Sequence, residues 1–100
     1  MMYFKGNGVP RDYAQAVSWY RKAADQGDTD AQYALGVSNY NGEGVSKDNK
    51  LAYFWWLLSS AQGFEKAIER RDYLEKTLTS QQCAKIQAAA TNWKPIAPAR

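Results

Sequence analysis

The chain has 100 residues, of which 45% are hydrophobic and 23% are charged, and its formal charge is +3. A chain of this length buries a modest core, and three excess positive charges are few for a nucleic-acid binder. It has no histidine and one cysteine, Cys83. These counts exclude His-based catalytic triads, histidine zinc ligands, disulfides within the chain and CxxC redox pairs.

The first predicted element is a glycine-containing loop at 6–9. A helix over about 12–26 follows it, with Asp12 at its start and Gly27 at its end. Apolar residues recur at helical spacing along this segment. A second helix is predicted over about 30–40.

The same order of elements then recurs. A loop at 42–45 leads into a helix over about 48–62, which begins near Asp48 and stops at Gly63. A fourth helix is predicted over about 65–78.

The last predicted helix begins with a capping box, in which Thr79 is the N-cap and Gln82 stands three residues later. This helix runs to about Trp93, and prolines then favour a loose tail over 94–100. The sequence therefore predicts an all-α fold of about five helices, with no strand.

An internal repeat is the strongest signal in the sequence. A shift of 36 residues aligns 6–31 with 42–67 at nine identical positions. The identical pairs are Gly6 and Gly42, Gly8 and Gly44, Val9 and Val45, Asp12 and Asp48, Ala16 and Ala52, Trp19 and Trp55, Gln26 and Gln62, Gly27 and Gly63, and Ala31 and Ala67.

These residues resemble the Sel1-like repeat, a relative of the tetratricopeptide repeat with a longer loop. The repeat signature consists of Gly6, Gly8, Asp12, Trp19, Gly27, Ala31, Leu35, Gly36, Gly42, Gly44, Asp48, Trp55 and Gly63. The resemblance implies an α-solenoid of antiparallel helix pairs. It also implies an adaptor function, because Sel1-like proteins are regarded as adaptors in signalling and in the assembly of membrane-associated complexes.

The repeat divides the chain into a partial repeat at 1–27, a complete repeat at 28–63, a terminal capping helix pair at 64–93 and a flexible tail at 94–100. The partial repeat lacks its first helix, which would leave apolar residues of the following helix uncovered. We therefore expect this open N-terminal end to form a homo-oligomer or to dock another segment.

The tryptophans have separate predicted roles. Trp19 and Trp55 occupy equivalent repeat positions and are expected to be buried in the core. Trp56, whose counterpart is a tyrosine, is expected to be more open, and Trp93 is expected to clamp the last helix onto the preceding one.

The sequence predicts no catalytic residues, no metal and no cofactor. Glu65, Glu69 and Asp72 share one helix, but nothing in the sequence places them in a cleft. Cys83 has no histidine to activate it and is expected to pack as a small apolar side chain. Acidic residues interleave with the basic ones nearby, which argues against nucleic-acid binding.

The predicted function is therefore a non-enzymatic module that binds a peptide or protein segment on its concave face. The expected partner-binding residues on the first helix of each pair are Gln32, Tyr33, Val37, Tyr40, Ile68 and Arg71. Two alternatives are a structural cap of a larger solenoid and a β-lactamase-like hydrolase. The second is disfavoured because the family members assigned that activity are cysteine-rich.

The first residues lack the charged and then apolar pattern of a signal peptide, and the longest apolar run, 52–58, is too short to cross a bilayer. We therefore expect a cytoplasmic location and no membrane insertion. A periplasmic location is the alternative if the chain is a fragment of an exported precursor.

Overall fold

Residues 12–95 are described by a computed structural model. Within this range the chain forms five α-helices of 13 residues each and no strand, as predicted: α1 (Tyr13–Asp25), α2 (Thr29–Asn41), α3 (Asn49–Ala61), α4 (Glu65–Thr77) and α5 (Ser80–Asn92). None of these helices is long and apolar enough to cross a membrane. The predicted loop at 6–9 and the end of the predicted tail lie outside the described residues.

Side-chain caps fix where the helices begin. Asp12, Asp28 and Asp48 are the N-caps of α1, α2 and α3, and each carboxylate accepts a hydrogen bond from a backbone N–H in the first turn at 2.9–3.1 Å. Thr79 and Gln82 form the predicted capping box at α5. These bonds satisfy donors that have no partner within the helix, so the predicted helix starts are confirmed.

The helices stack in chain order, with α2 between α1 and α3 and with α4 against α3. One apolar cluster joins α1, α2 and α3 through Val17, Leu35 and Trp55. A second cluster joins α3, α4 and α5 through buried residues that include Tyr53 and Leu74. Because α3 contributes to both clusters, it is the central helix of the described chain.

The structure separates the two tryptophans that the repeat treats as equivalent. Trp55 is 5% exposed and packs in the cluster that contains Ala31 and Leu35 of α2, whereas Trp19 is 55% exposed. The prediction that Trp19 is buried is therefore wrong. Its cover would have to come from a helix that precedes α1 as α2 precedes α3, and residues 12–95 contain no such helix. Homo-oligomerisation through this end stays a prediction.

The last helix departs from the expected pairing with its predecessor. α5 packs mainly against α3 and makes little contact with α4. Trp93 meets Trp55 of α3 edge to face, with ring centroids 6.5 Å apart. The expectation that Trp93 clamps α5 onto α4 is therefore wrong, because the Trp55 indole offers a larger aromatic partner on α3.

A buried tyrosine, Tyr53, joins α3 to α4 and α5. The Tyr53 hydroxyl donates a hydrogen bond to Glu75 of α4 at 2.9 Å and accepts one from the Gln87 amide of α5 at 2.8 Å. Burial raises the pKa of Tyr53 well above its ordinary value, the proximity of Glu75 adds to that rise, and the Gln87 bond opposes it.

We expect the two equivalent tryptophans to differ in their effect on stability. Trp55→Ala empties part of a packed cluster and is expected to lower the free energy of unfolding by about 3–5 kcal/mol. Trp19→Ala removes an exposed ring and is expected to change it by about 0.5 kcal/mol or less. Urea unfolding followed by circular dichroism measures both values, and equal losses would contradict the assignment.

We also expect Tyr53 to make stability depend on alkaline pH. The folded state retains the phenolic proton above about pH 10, where the unfolded chain loses it. The contribution of Tyr53 is therefore complete below about pH 10 and declines as the pH rises further. Tyr53→Phe is expected to be less stable than wild type at pH 7 because Glu75 and Gln87 lose a partner.

Urea unfolding at several pH values between 7 and 11.5 tests this expectation, with the difference between the two proteins as the readout. That difference is expected to shrink above about pH 10. A difference that stays constant across the series would show that the Tyr53 proton is not linked to folding.

Candidate functional site

A row of aromatic rings crosses α2, α3 and α4 and forms the first part of the candidate site. Neighbouring ring centroids along this aromatic row are 5.1–6.4 Å apart. Its members, in order, are Phe64, Tyr33, Trp56, Tyr40 and Tyr73. Tyr73 is 54% exposed, whereas Trp56 is fully buried beneath its neighbours, so the row presents tyrosines to solvent and keeps the indole inside.

The close approach of α2 to α3 sets the position of the row. Gly36 has no side chain, and a Cβ atom at this position would overlap the indole ring of Trp56. The Trp56 indole N–H donates a hydrogen bond to the Tyr33 carbonyl oxygen at 3.1 Å. The expectation that Trp56 is open is therefore wrong, because the space left by Gly36 admits its ring into the interface.

Two cations lie over this row. The Lys47 ammonium is 5.2 Å from the centre of the Tyr40 ring, and the Arg70 guanidinium is 5.8 Å from that of Trp56. Both distances are within the range of cation–π attraction. The hydrogen bond and proximity of Tyr73 raise the pKa of Tyr40, and the nearby charge of Arg70 opposes that rise.

A pocket between α1 and α2 forms the second part of the candidate site. Its volume is about 310 Å³ and it is open to solvent. Three tyrosines and one carboxylate are among the residues that line it, which are Tyr13, Tyr20, Tyr33, Ala34, Val37, Ser38 and Glu43. Tyr33 belongs to both parts, so the pocket adjoins the aromatic row.

The loop between α2 and α3 completes this pocket. Gly42 and Gly44 adopt left-handed conformations, with φ values of 74° and 80°. A Cβ atom at Gly44 would overlap the Tyr13 carbonyl group, so only glycine lets the loop lie against the first turn of α1. Glu43 stands between these glycines and is thereby held beside Tyr13.

The structure places three of the six predicted partner-binding residues in the candidate site. Tyr33 and Val37 line the pocket, and Tyr40 belongs to the aromatic row. Whether these side chains bind a partner stays a prediction.

The prediction for Gln32 is wrong because this side chain is completely buried. Its amide nitrogen donates to the Ala24 carbonyl oxygen at 3.2 Å, and its amide oxygen accepts from Gln62 at 3.2 Å. These bonds link the end of α1 to the residue that follows α3. Gln32 therefore contributes to the packing of three helices and cannot contact a partner.

Ile68 and Arg71 lie on other sides of α4 than the aromatic row. Ile68 is two residues from Arg70, a rotation of about 200° around the helix. The Arg71 guanidinium binds Asp72 at 2.9 Å and reaches the Ser60 hydroxyl of α3 at 3.4 Å. Arg70 and Tyr73, and not Ile68 and Arg71, lie on the side of α4 that faces the aromatic row. The positions of the buried residues Ala67 and Leu74 could have indicated this register.

The remaining candidates for chemistry have structural explanations. Cys83 is buried in the cluster that contains Tyr53 and Leu74, which confirms its predicted packing role. Asp72 pairs with Arg71 at 2.9 Å. Within residues 12–95, no group of acidic or cysteine side chains is arranged to hold a metal ion.

Two consecutive segments of the sequence, residues 1–28 and 29–64, match the Sel1 repeat family. The chain belongs to that family. Sel1 repeats are helical and in general mediate protein interactions. The resemblance inferred from the glycines, aspartates and tryptophans is thus confirmed.

A curated relative is chitin synthase regulatory factor 3 of the fission yeast Schizosaccharomyces pombe, which is 38% identical over 74 residues. The match covers 74% of this chain but 8% of the relative. It therefore compares this Sel1 domain with a small part of a much longer protein.

We expect Gly36→Ala to destabilise the domain. Alanine in place of glycine in a helix ordinarily stabilises by about 0.5–1 kcal/mol. Here the new methyl group meets the Trp56 ring, so a loss of about 1–3 kcal/mol is expected instead. Thermal and urea unfolding measure the sign of the change.

The double variant Gly36→Ala/Trp56→Phe provides the control, because the smaller ring leaves room for the methyl group. We expect the cost of Gly36→Ala to be smaller in the Trp56→Phe background than in wild type. Equal costs in both backgrounds would show that the indole does not limit space at residue 36.

Proposed function

We propose that this Sel1 domain is a non-enzymatic interaction module that binds a segment of another protein across the aromatic row and the adjoining pocket. The observation that carries the proposal is the continuous apolar and aromatic surface from Tyr73 through Tyr40 and Tyr33 to the pocket. Tyrosine supplies a large contact area and a polar tip with few rotatable bonds, which suits it to protein interfaces.

The packing beneath this surface supports the proposal. Tyr33 and Tyr40 stand on α2, whose backbone is fixed to α3 by the Trp56 hydrogen bond and by the contact at Gly36. A surface that is ordered before binding loses less conformational entropy when a partner arrives. The fission yeast relative is named for the regulation of an enzyme, and a binding role for the shared segment agrees with that name.

Selection from a displayed library of random peptides tests this proposal. Wild-type protein is the bait, and the readout is the dissociation constant of the selected peptides by fluorescence anisotropy. Val37→Glu places a charge at the centre of the surface, and Tyr73→Ala removes its most exposed ring. We expect each substitution to weaken binding by roughly tenfold or more.

Ala88→Glu is the matched control, because it adds the same charge at an exposed position on α5. Circular dichroism and the melting temperature establish that the variants fold. Peptides that bind wild type and both surface variants equally well would overturn the proposed surface. Loss of binding in Ala88→Glu would indicate that the peptides bind at α5 and not at the proposed surface.

A further inference from the structure

We propose that the pocket between α1 and α2 binds the alkylammonium group of a lysine side chain, methylated or unmethylated, on the partner segment. This inference rests on the proposed function and names the chemistry of its ligand. It is carried by the combination of three tyrosines with one carboxylate in the lining of a single open pocket.

The tyrosines provide the first part of the argument. Tyr13 and Tyr20 come from α1 and Tyr33 from α2, so they line the pocket from two helices. The face of an aromatic ring carries partial negative charge and attracts a cation. Several rings around one pocket are the usual means by which proteins bind lysine derivatives and quaternary ammonium groups. A volume of about 310 Å³ accommodates the end of a lysine side chain.

The charge of the lining provides the second part. Among the lining residues that the structure describes, Glu43 is the acidic one and none is basic. Its half-buried side chain forms no hydrogen bond or ion pair with another residue of the range 12–95. Lys47 belongs to the same loop as Glu43, but its ammonium group lies over the Tyr40 ring of the aromatic row. The described lining residues therefore carry a net negative charge, which a ligand cation would complement.

Hydrogen bonds and packing fix the backbone at Glu43 before a ligand arrives. The N–H groups of Gly42 and Glu43 both donate to the Ser38 carbonyl oxygen, at 2.8 and 2.9 Å. Gly44 packs against the Tyr13 backbone. The backbone at Glu43 is thus positioned by the end of α2 on one side and by the start of α1 on the other, so binding need not order this loop.

The corresponding positions of the next repeat show that the arrangement is particular to this pocket. A shift of 36 residues places Asn49 at the position of Tyr13, Trp56 at that of Tyr20 and Thr79 at that of Glu43. Trp56 is buried under Tyr33 and Tyr40, whereas Tyr20 lines an open pocket. Stacking of the repeats alone therefore does not account for the tyrosines and the carboxylate.

Capped glycine pentapeptides test the proposal, with lysine, trimethyllysine or norleucine as the central residue. Norleucine is an apolar analogue that lacks the charge. Each peptide is titrated into the ¹⁵N-labelled domain, and the readout is the chemical shift of the Ala34, Val37 and Glu43 amides. We expect both cationic peptides to bind roughly tenfold more tightly than the norleucine peptide.

Two substitutions assign the binding to the pocket. Glu43→Gln keeps the shape of the side chain and removes its charge, and Tyr33→Leu removes one ring while retaining the carbonyl oxygen that Trp56 binds. Each is expected to weaken the cationic peptides several-fold, and Glu43→Gln is expected to leave the norleucine peptide unchanged. Glu69→Gln removes an exposed carboxylate of α4, outside the pocket lining, and is the matched control.

Equal affinity for the norleucine and lysine peptides would overturn the proposal and show that the pocket binds apolar side chains without preference for a cation. No shift at these amides, or shifts that Glu43→Gln leaves unchanged, would overturn it as well. The proposed function is tested separately by the peptide library. Selected peptides that need Val37 and Tyr73 but contain no essential lysine would sustain the interaction surface while rejecting the cationic ligand.

Discussion

The close packing of Gly36 against Trp56 is the contact on which the rest of the structure depends. It brings the backbone of α2 near enough to α3 for the indole to reach the Tyr33 carbonyl oxygen. Tyr33 and Tyr40 then lie on either side of the buried ring and extend the aromatic surface to Phe64 and Tyr73. A stabilising contact inside the domain thereby arranges the surface that is available to a partner.

This surface differs in charge from one end to the other. Near α4 it carries the guanidinium of Arg70 above the indole, and near α1 it carries the carboxylate of Glu43 beside the tyrosines. An extended segment with charges at its two ends would experience opposite fields at those ends, so one chain direction is favoured over its reverse. Electrostatics of this kind contributes more to specificity and association rate than to affinity.

The sequence predicted the helices well because the signals that end them are local. Asp12, Asp28, Asp48, Thr79 and the glycines act within a few residues of their own positions, and the structure places the helix ends close to the predicted ones. The 36-residue repeat also predicted the family correctly, since glycine and tryptophan at matching positions are stringent requirements of the fold.

Predictions that required knowledge of neighbouring helices were less successful. Trp19 and Trp55 occupy equivalent repeat positions, but only Trp55 has a preceding helix among the described residues. Gln32 looked like a surface residue because its hydrogen-bond partners are 8 and 30 residues away. The pocket between α1 and α2 brings Tyr20 of α1 close to Glu43 in the loop that follows α2. Helical periodicity does not reveal this proximity.

The path of α5 has a consequence for the cooperativity of unfolding. Repeat arrays are held together by contacts between adjacent units, which allows their ends to fray separately. Here Trp93 meets the central helix, and Pro95 lies beside Gly27 in the turn between α1 and α2. The segment after α5 thus returns to the turn between α1 and α2 and closes a long loop of the chain. Opening either end would remove contacts at the other, which favours unfolding of the described helices as one unit over unfolding as a linear series.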